Sequence, residues 1–279
     1  MVRPSMILVI GLVVLLGFVG PRRHSGLSAA EKLGSDGVSA ITPLLAKRGQ
    51  LIVDDDGGLP RGVDTKGVAG SQIRVRSTDE KWKWVTAAKV WRSQWKPGMG
   101  HTPVISYSQF KEKDLIVEVT FRFGLATESW HTQSFRVALD DRPLITGHVL
   151  SAWANPNNDF IQTGFLLQHI KKTPEKKVLK NLLLDQQSIQ IVPGKWYTAI
   201  VEVVGDEALF RMGSHVAYAK SLEIAVPKNL MSLTVGTTWH EVKRVRIWKA
   251  VPNPEWSQRK AAVLESRQHA EDSSNNGDN

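Results

Sequence analysis

The chain has no cysteine among its 279 residues. That absence excludes disulfide scaffolding, thiol catalysis, cysteine-based zinc sites and lipid attachment at a cysteine. Stability must come from a packed core, and a mature domain of about 220 residues is enough to build one. Helical periodicity is also missing until after Pro254. No HExxH, P-loop, GxSxG or strand-led GxGxxG is present, so no motif calls for a cofactor. Tyrosine is rare, with three residues, whereas tryptophan is abundant, with ten.

The N-terminus sets the expected compartment. Arg3 precedes an apolar run of 14 residues, Met6 to Val19, and Ser28-Ala29-Ala30 offers small residues for cleavage before Glu31. The run is short of the ~20 residues that span a bilayer. Residues 1–30 therefore read as a signal peptide of an exported, periplasmic or extracellular protein. Pro21-Arg22-Arg23-His24 puts basic charge after the run and leaves a retained membrane anchor as the alternative. Without those residues Lys+Arg falls from 36 to 33 against 27 Asp+Glu, so a formal charge of +6 remains. No zinc spacing, recognition helix or RNA-binding signature accompanies the surplus, so nucleic acid is not an expected partner. It is either a solvated basic surface or an attraction for anionic envelope polymers or acidic glycans.

Period-two alternation dominates residues 51–250. In Asp114 to Phe123, Leu115, Val117, Val119, Phe121 and Phe123 point one way and Ile116, Glu118, Thr120 and Arg122 the other. Trp196 to Val204 alternates similarly; Gly205-Asp206 and Gly213-Ser214 then turn the chain into two more strands. Further strands are expected at Leu51 to Val53, Gln72 to Arg76, Trp82 to Trp91, Val104 to Phe110, Ser134 to Leu139 and Leu144 to Trp153. The remainder are Phe160 to Ile170, Ser188 to Val192, Leu230 to Val235 and Glu241 to Lys249, the last needing a bulge near Lys243-Arg244. Strands at this spacing without helical crossovers predict an all-β, antiparallel two-sheet jelly-roll sandwich over 51–250. A lead segment, 31–50, has room for a short helix around Ile41 to Lys47. In 251–279, a C-terminal helix over Glu255 to His269 precedes a disordered polar tail.

Several patterns carry a resemblance. They are Asp54-Asp55, His101-Thr-Pro-Val-Ile105 leading into Asp114 to Phe123, Gly147-His148, Gly194-Lys195-Trp196 and Val245-Arg-Ile-Trp248. Together they resemble exported bacterial concanavalin A-like (laminin-G) domains, near the 3-keto-disaccharide hydrolase domain family. The resemblance implies the jelly roll, a glycan or envelope polysaccharide as partner, and a structural Ca²⁺ near the first and last strands. Asp54 and Asp56 are the weak candidates for that metal, although consecutive aspartates diverge along an extended backbone. The E-x-D-x-x-E strand of laminarinase-type sandwich glycosidases is absent; the nearest matches are Glu118-Val-Thr-Phe-Arg and Glu202-Val-Val-Gly-Asp-Glu.

Sugar rings stack their C–H faces on indoles, so Trp130, Trp153 and Trp239, at strand ends beside polar loops, are candidate ligand contacts; core packing is the alternative. His148 could hydrogen-bond hydroxyls or act as a base. Arg136 and Asp140 alternate away from Phe135, Val137 and Leu139 and so share a polar face. Three readings follow: a carbohydrate-recognition module, a hydrolase or lyase of a modified sugar using His148, Asp140 and Glu118, and a structural envelope protein.

Overall fold

The computed structural model describes residues 41–59, 64–68, 72–77, 80–141, 148–157, 162–172 and 179–275. The expected signal peptide and Gly147 lie outside the described residues. Sixteen strands are present among those described. β1 is Ala46–Asp55, β2 Asp64–Lys66, β3 Gln72–Ser77, β4 Trp82–Val85, β5 Val90–Ser93, β6 Val104–Glu112, β7 Leu115–Phe123 and β8 Phe135–Asp140. β9 is His148–Asn155, β10 Gly164–Lys172, β11 Leu179–Gln187, β12 Trp196–Val204, β13 Glu207–Met212, β14 His215–Lys220, β15 Lys228–Val235 and β16 His240–Pro252. One helix, α1, follows at Trp256–Asn275.

All pairings are antiparallel and form two eight-stranded sheets. The first runs β14-β13-β12-β7-β16-β5-β4, with β1 also on β16; the second runs β11-β10-β9-β8-β15-β6-β3-β2. The expected all-β sandwich is the fold. Its core is made by the inward halves of the alternating strands. The five apolar residues of β7 from Leu115 to Phe123 that alternate inward are fully buried. Phe121 of the first sheet stacks on Phe135 of the second with centroids 3.7 Å apart, and Phe165 stacks on Phe210 at 4.0 Å. Burying one such ring stabilises by about 1.5–3 kcal/mol, so these two bridges help to fix the sheets against each other.

The bulge lies where the alternation breaks. Between β16 and β7 the register steps from Val242↔Phe121 to Arg244↔Thr120, which leaves Lys243 as the extra residue. Val242, Val245 and Ile247 all reach the core as a result. β16 is long enough to pair with β5 through Glu241 and Val242, then with β1 from Val245 to Pro252.

Four local expectations change. No helix forms around Ile41 to Lys47. Instead β1 starts at Ala46, opposite Pro252, and the amides of Leu44 and Ala46 donate to the Glu202 carboxylate at 2.8 and 3.0 Å. Those partners outweigh a weak local helical preference. Trp82 to Trp91 is two strands, broken by a 3-10 turn at Thr86–Ala88. Ser188 to Val192 is not a strand; the edge strand is β11, whose consecutive leucines hide the alternation. α1 continues past His269 into the polar tail, to Asn275. Trp256 anchors it against Leu45 and Leu209, and Arg267 grips both oxygens of Asp185 at 2.6 Å.

Candidate functional site

The outer face of the second sheet is built from neighbouring strands whose outward residues fall into rows. These are Arg76–Ser106–Ser232–Ala138–Ser151, Arg74–Ser108–Leu230–Asp140 and Val104–Thr234–Arg136–Trp153. Their partners at every other position, such as Ile105, Met231 and Val137, face the core. Apart from Leu230, serine, threonine and alanine fill the middle of the rows and keep the sheet surface low, while arginines rise around it. The result is an open pocket of about 760 Å³, with Arg74, Arg76, His101, Arg136 and His148 among its lining.

Three of the candidate residues meet there: Arg136 and Asp140, expected to share a polar face, and His148. His148 Nδ1 lies 2.7 Å from Asp140 Oδ1, and Asp140 is buried behind it. A proton on Nδ1 is donated to that carboxylate, and in the neutral ring Nε2 is then free to accept. Arg136 Nη1 approaches that nitrogen at 3.4 Å, and its Nη2 donates to Thr234 Oγ1 at 3.0 Å. The guanidinium sits over the Trp153 ring, 4.8 Å from its centroid, an arrangement worth about 0.5–2 kcal/mol. Burial pushes Arg136 down to about 10, and the charge of Asp140 partly opposes this. Among the described residues Arg136 Nε and Asp140 Oδ2 have no partner.

Trp153 is in this cluster but not as a sugar platform. It is buried, and the arginine covers its ring, so it supports Arg136 from beneath. Trp130 and Trp239 are elsewhere. Trp239 lines a smaller pocket with Trp95, His131 and Thr237, its ring within 5.5 and 5.7 Å of the Arg92 and Arg122 guanidiniums. Trp130 packs on Trp95 at 5.6 Å. Gly124 is what admits Trp239: a Cβ there would meet its ring at 2.7 Å.

Glu118 is separated from His148 and Asp140, because β7 belongs to the other sheet. It is buried on that sheet's outer face, where Arg48 donates to Oε2 at 2.6 Å and Arg246 pairs with Oε1. A carboxylate held by two cations and facing away from the pocket is a structural anchor. The aspartate run does not converge either. Asp54 is taken by Arg244 at 2.7 and 2.6 Å, Asp55 accepts from Tyr107, and Asp56 caps the amide of Gly58. Among the described residues no three His, Asp or Glu side chains gather as a metal site. No described helix is long and apolar enough to cross a membrane.

Arg74, Arg76, Ser106, Ser108, Ser232 and Thr234 were not expected at the site. Each sits at an outward position of an alternating strand, which is a readable signal. That β3, β6, β15 and β8 are neighbours is not readable, since they come from four distant stretches of chain.

No protein-family model matches the chain, and no curated protein sequence does. Solved structures do match in shape. The CBM2 module of the evolved Dit of Lactobacillus casei BL23 phage J-1 superposes with TM-score 0.52 at 12% identity, covering 74% of this chain and 98% of that one. A protein of unknown function with a galectin-like fold from Bacillus subtilis gives 0.47 at 7%, covering 75% and 100%. Carbohydrate binding module CBM66 from Bacillus subtilis gives 0.44 at 11%, covering 63% and 95%. The chain is thus a concanavalin A-like jelly roll.

Proposed function

We propose that this protein is an exported carbohydrate-recognition module of the cell envelope, and that the outer face of the second sheet holds its glycan. The observation that carries this reading is the pocket itself: a broad floor bearing serine and threonine hydroxyls, flanked by arginine donors and by His148. Sugar hydroxyls need directional donors and acceptors on a surface wide enough for a ring, and Ser106, Ser108, Ser232 and Thr234 supply them. The CBM2 module named above has the same fold. Binding needs no catalytic pair, and the polar groups here restrain one another.

A second reading, turnover of a modified sugar of the 3-keto type, draws on the Asp140–His148 hydrogen bond. The site supports it less. Arg136 already faces Nε2 of His148, and a retaining glycosidase needs two carboxyls about 5 Å apart. Glu118, the other suspected carboxylate, is committed on the far sheet.

A glycan-array screen of the full chain, with EDTA and Ca²⁺ arms, tests the proposal. Specific binding is expected, and Ser232→Leu, which fills the floor, should abolish it. A blank array from folded protein overturns the reading. Loss of binding in EDTA alone would bring calcium into the site.

A further inference from the structure

The pocket has a charge pattern that the glycan reading does not by itself require. Elsewhere on the described surface, guanidiniums meet carboxylates. Arg48 and Arg246 hold Glu118, Arg92 and Arg122 hold Glu241, Arg211 holds Glu202, and Arg267 holds Asp185. Arg136 differs. Among the described residues its hydrogen-bond partners are a neutral hydroxyl and a histidine nitrogen, and no carboxylate lies within ion-pair distance. Asp140, the nearest acid by sequence and row, is engaged by His148.

A desolvated guanidinium without an anion is costly, and its planar set of donors matches a carboxylate or sulfate. Trp153 and Thr234 hold this one in place, so it would lose little freedom on binding. Arg76 is exposed on the same face, two residues from Arg74, whose own charge is met by Asp64. The low serine floor lies between Arg76 and Arg136 in the neighbouring rows.

We infer that the pocket selects an acidic sugar, its ring lying over Ser106 and Ser232 and its carboxylate or sulfate held by Arg136, with Arg76 adding long-range attraction. This inference rests on the glycan reading above and adds the class of sugar.

The test is a titration of the full chain with five probes: an oligogalacturonate, the same oligomer after carboxyl reduction, a sulfated galactan oligomer, its desulfated form, and single-stranded DNA. Binding of a charged oligomer is expected, falling at least about tenfold on carboxyl reduction or desulfation and on Arg136→Gln. The stronger of the two charged probes identifies the anion. Arg76→Gln, at an exposed position that cannot disturb the core, should weaken binding about threefold and flatten its salt dependence. That variant keeps the proposal open to disproof even where Arg136→Gln lowers the melting temperature.

Equal binding of charged and neutral oligomers, unmoved by either substitution, overturns the acidic-sugar inference and leaves the glycan reading standing. No binding of any sugar removes both. DNA bound as tightly as the acidic oligomers, with both lost at moderate salt, overturns the inference in favour of unselective polyanion attraction.

Discussion

The outer faces of the two sheets treat charge in opposite ways. On the first, three glutamates are almost wholly buried, and each is held by arginine: Glu118 by Arg48 and Arg246, Glu241 by Arg92 and Arg122, and Glu202 by Arg211. Two backbone amides also donate to Glu202, and Trp256 of α1 and Leu45 before β1 pack over Leu209. On the second face arginines line an open pocket, and among the described residues Arg136 has no carboxylate within ion-pair distance, although the charge of Asp140 acts on it. A satisfied face is architecture. An unsatisfied one, in a fold able to satisfy its charges elsewhere, is where a ligand belongs.

The sharpest way to break this comparison is to remove one charge from each face. Glu118→Ala leaves Arg48 and Arg246 without their partner, and a loss of about 3 kcal/mol is expected in urea unfolding. Arg136→Gln should change stability by less than about 1 kcal/mol, or raise it, because a costly buried charge disappears. If the two effects exchange places, the assignment of the faces is reversed.

Acid provides the next effect. His240, at the start of β16 and fully buried, has its pKa lowered to about 4 by burial, partly opposed by its hydrogen bond to the Thr238 carbonyl. The unfolded chain therefore binds the proton first, and stability falls as pH drops from 6.5 towards 4. The contribution is on the order of 3 kcal/mol. His240→Phe should lose that part of the slope in pH-dependent melting.

Lys228, on the second sheet, gives an effect of similar size at the other end of the scale. Burial lowers it to about 8, while its ammonium donates to the carbonyls of Lys113 and Ile224 at 2.7 Å. Between pH 8 and 10.5 the unfolded state holds more protons, so stability should rise with pH across that window. Lys228→Met should flatten the rise. The smallest expected change is at Trp239→Ala: glycan affinity in the large pocket within about twofold of the native value, since the ring lies outside its walls. A larger fall would mean that the sugar extends to the tryptophan cluster.

How far the sequence carried the reading depended on the range of each signal. Strand alternation is local, so β7, β12 and the bulge at Lys243 were legible, as was the shared face of Arg136 and Asp140. The pairing of His148 with Asp140 needed the β8–β9 register. The placing of Arg76 beside Ser106 and Ser232 needed sheet order, which no single stretch encodes. Tryptophan misled for a related reason: position at a strand end does not say which sheet a ring faces. Trp153 lies beneath an arginine, Trp239 lines a different pocket with Trp130 packed behind its Trp95, and Glu118 points away from the site.

One residue, Lys243, has a consequence for how this chain can tolerate change. Strike it out and Glu241, Val242, Arg244, Val245, Arg246, Ile247 and Trp248 still alternate without a fault. The residue is spare in the pattern but not in the path. A chain one letter shorter would keep every side chain on its own face but would straighten β16 at the point where it passes from β5 to β1. Two strands would then contend for one edge. Length and pattern, inseparable along most of a strand, come apart at this position.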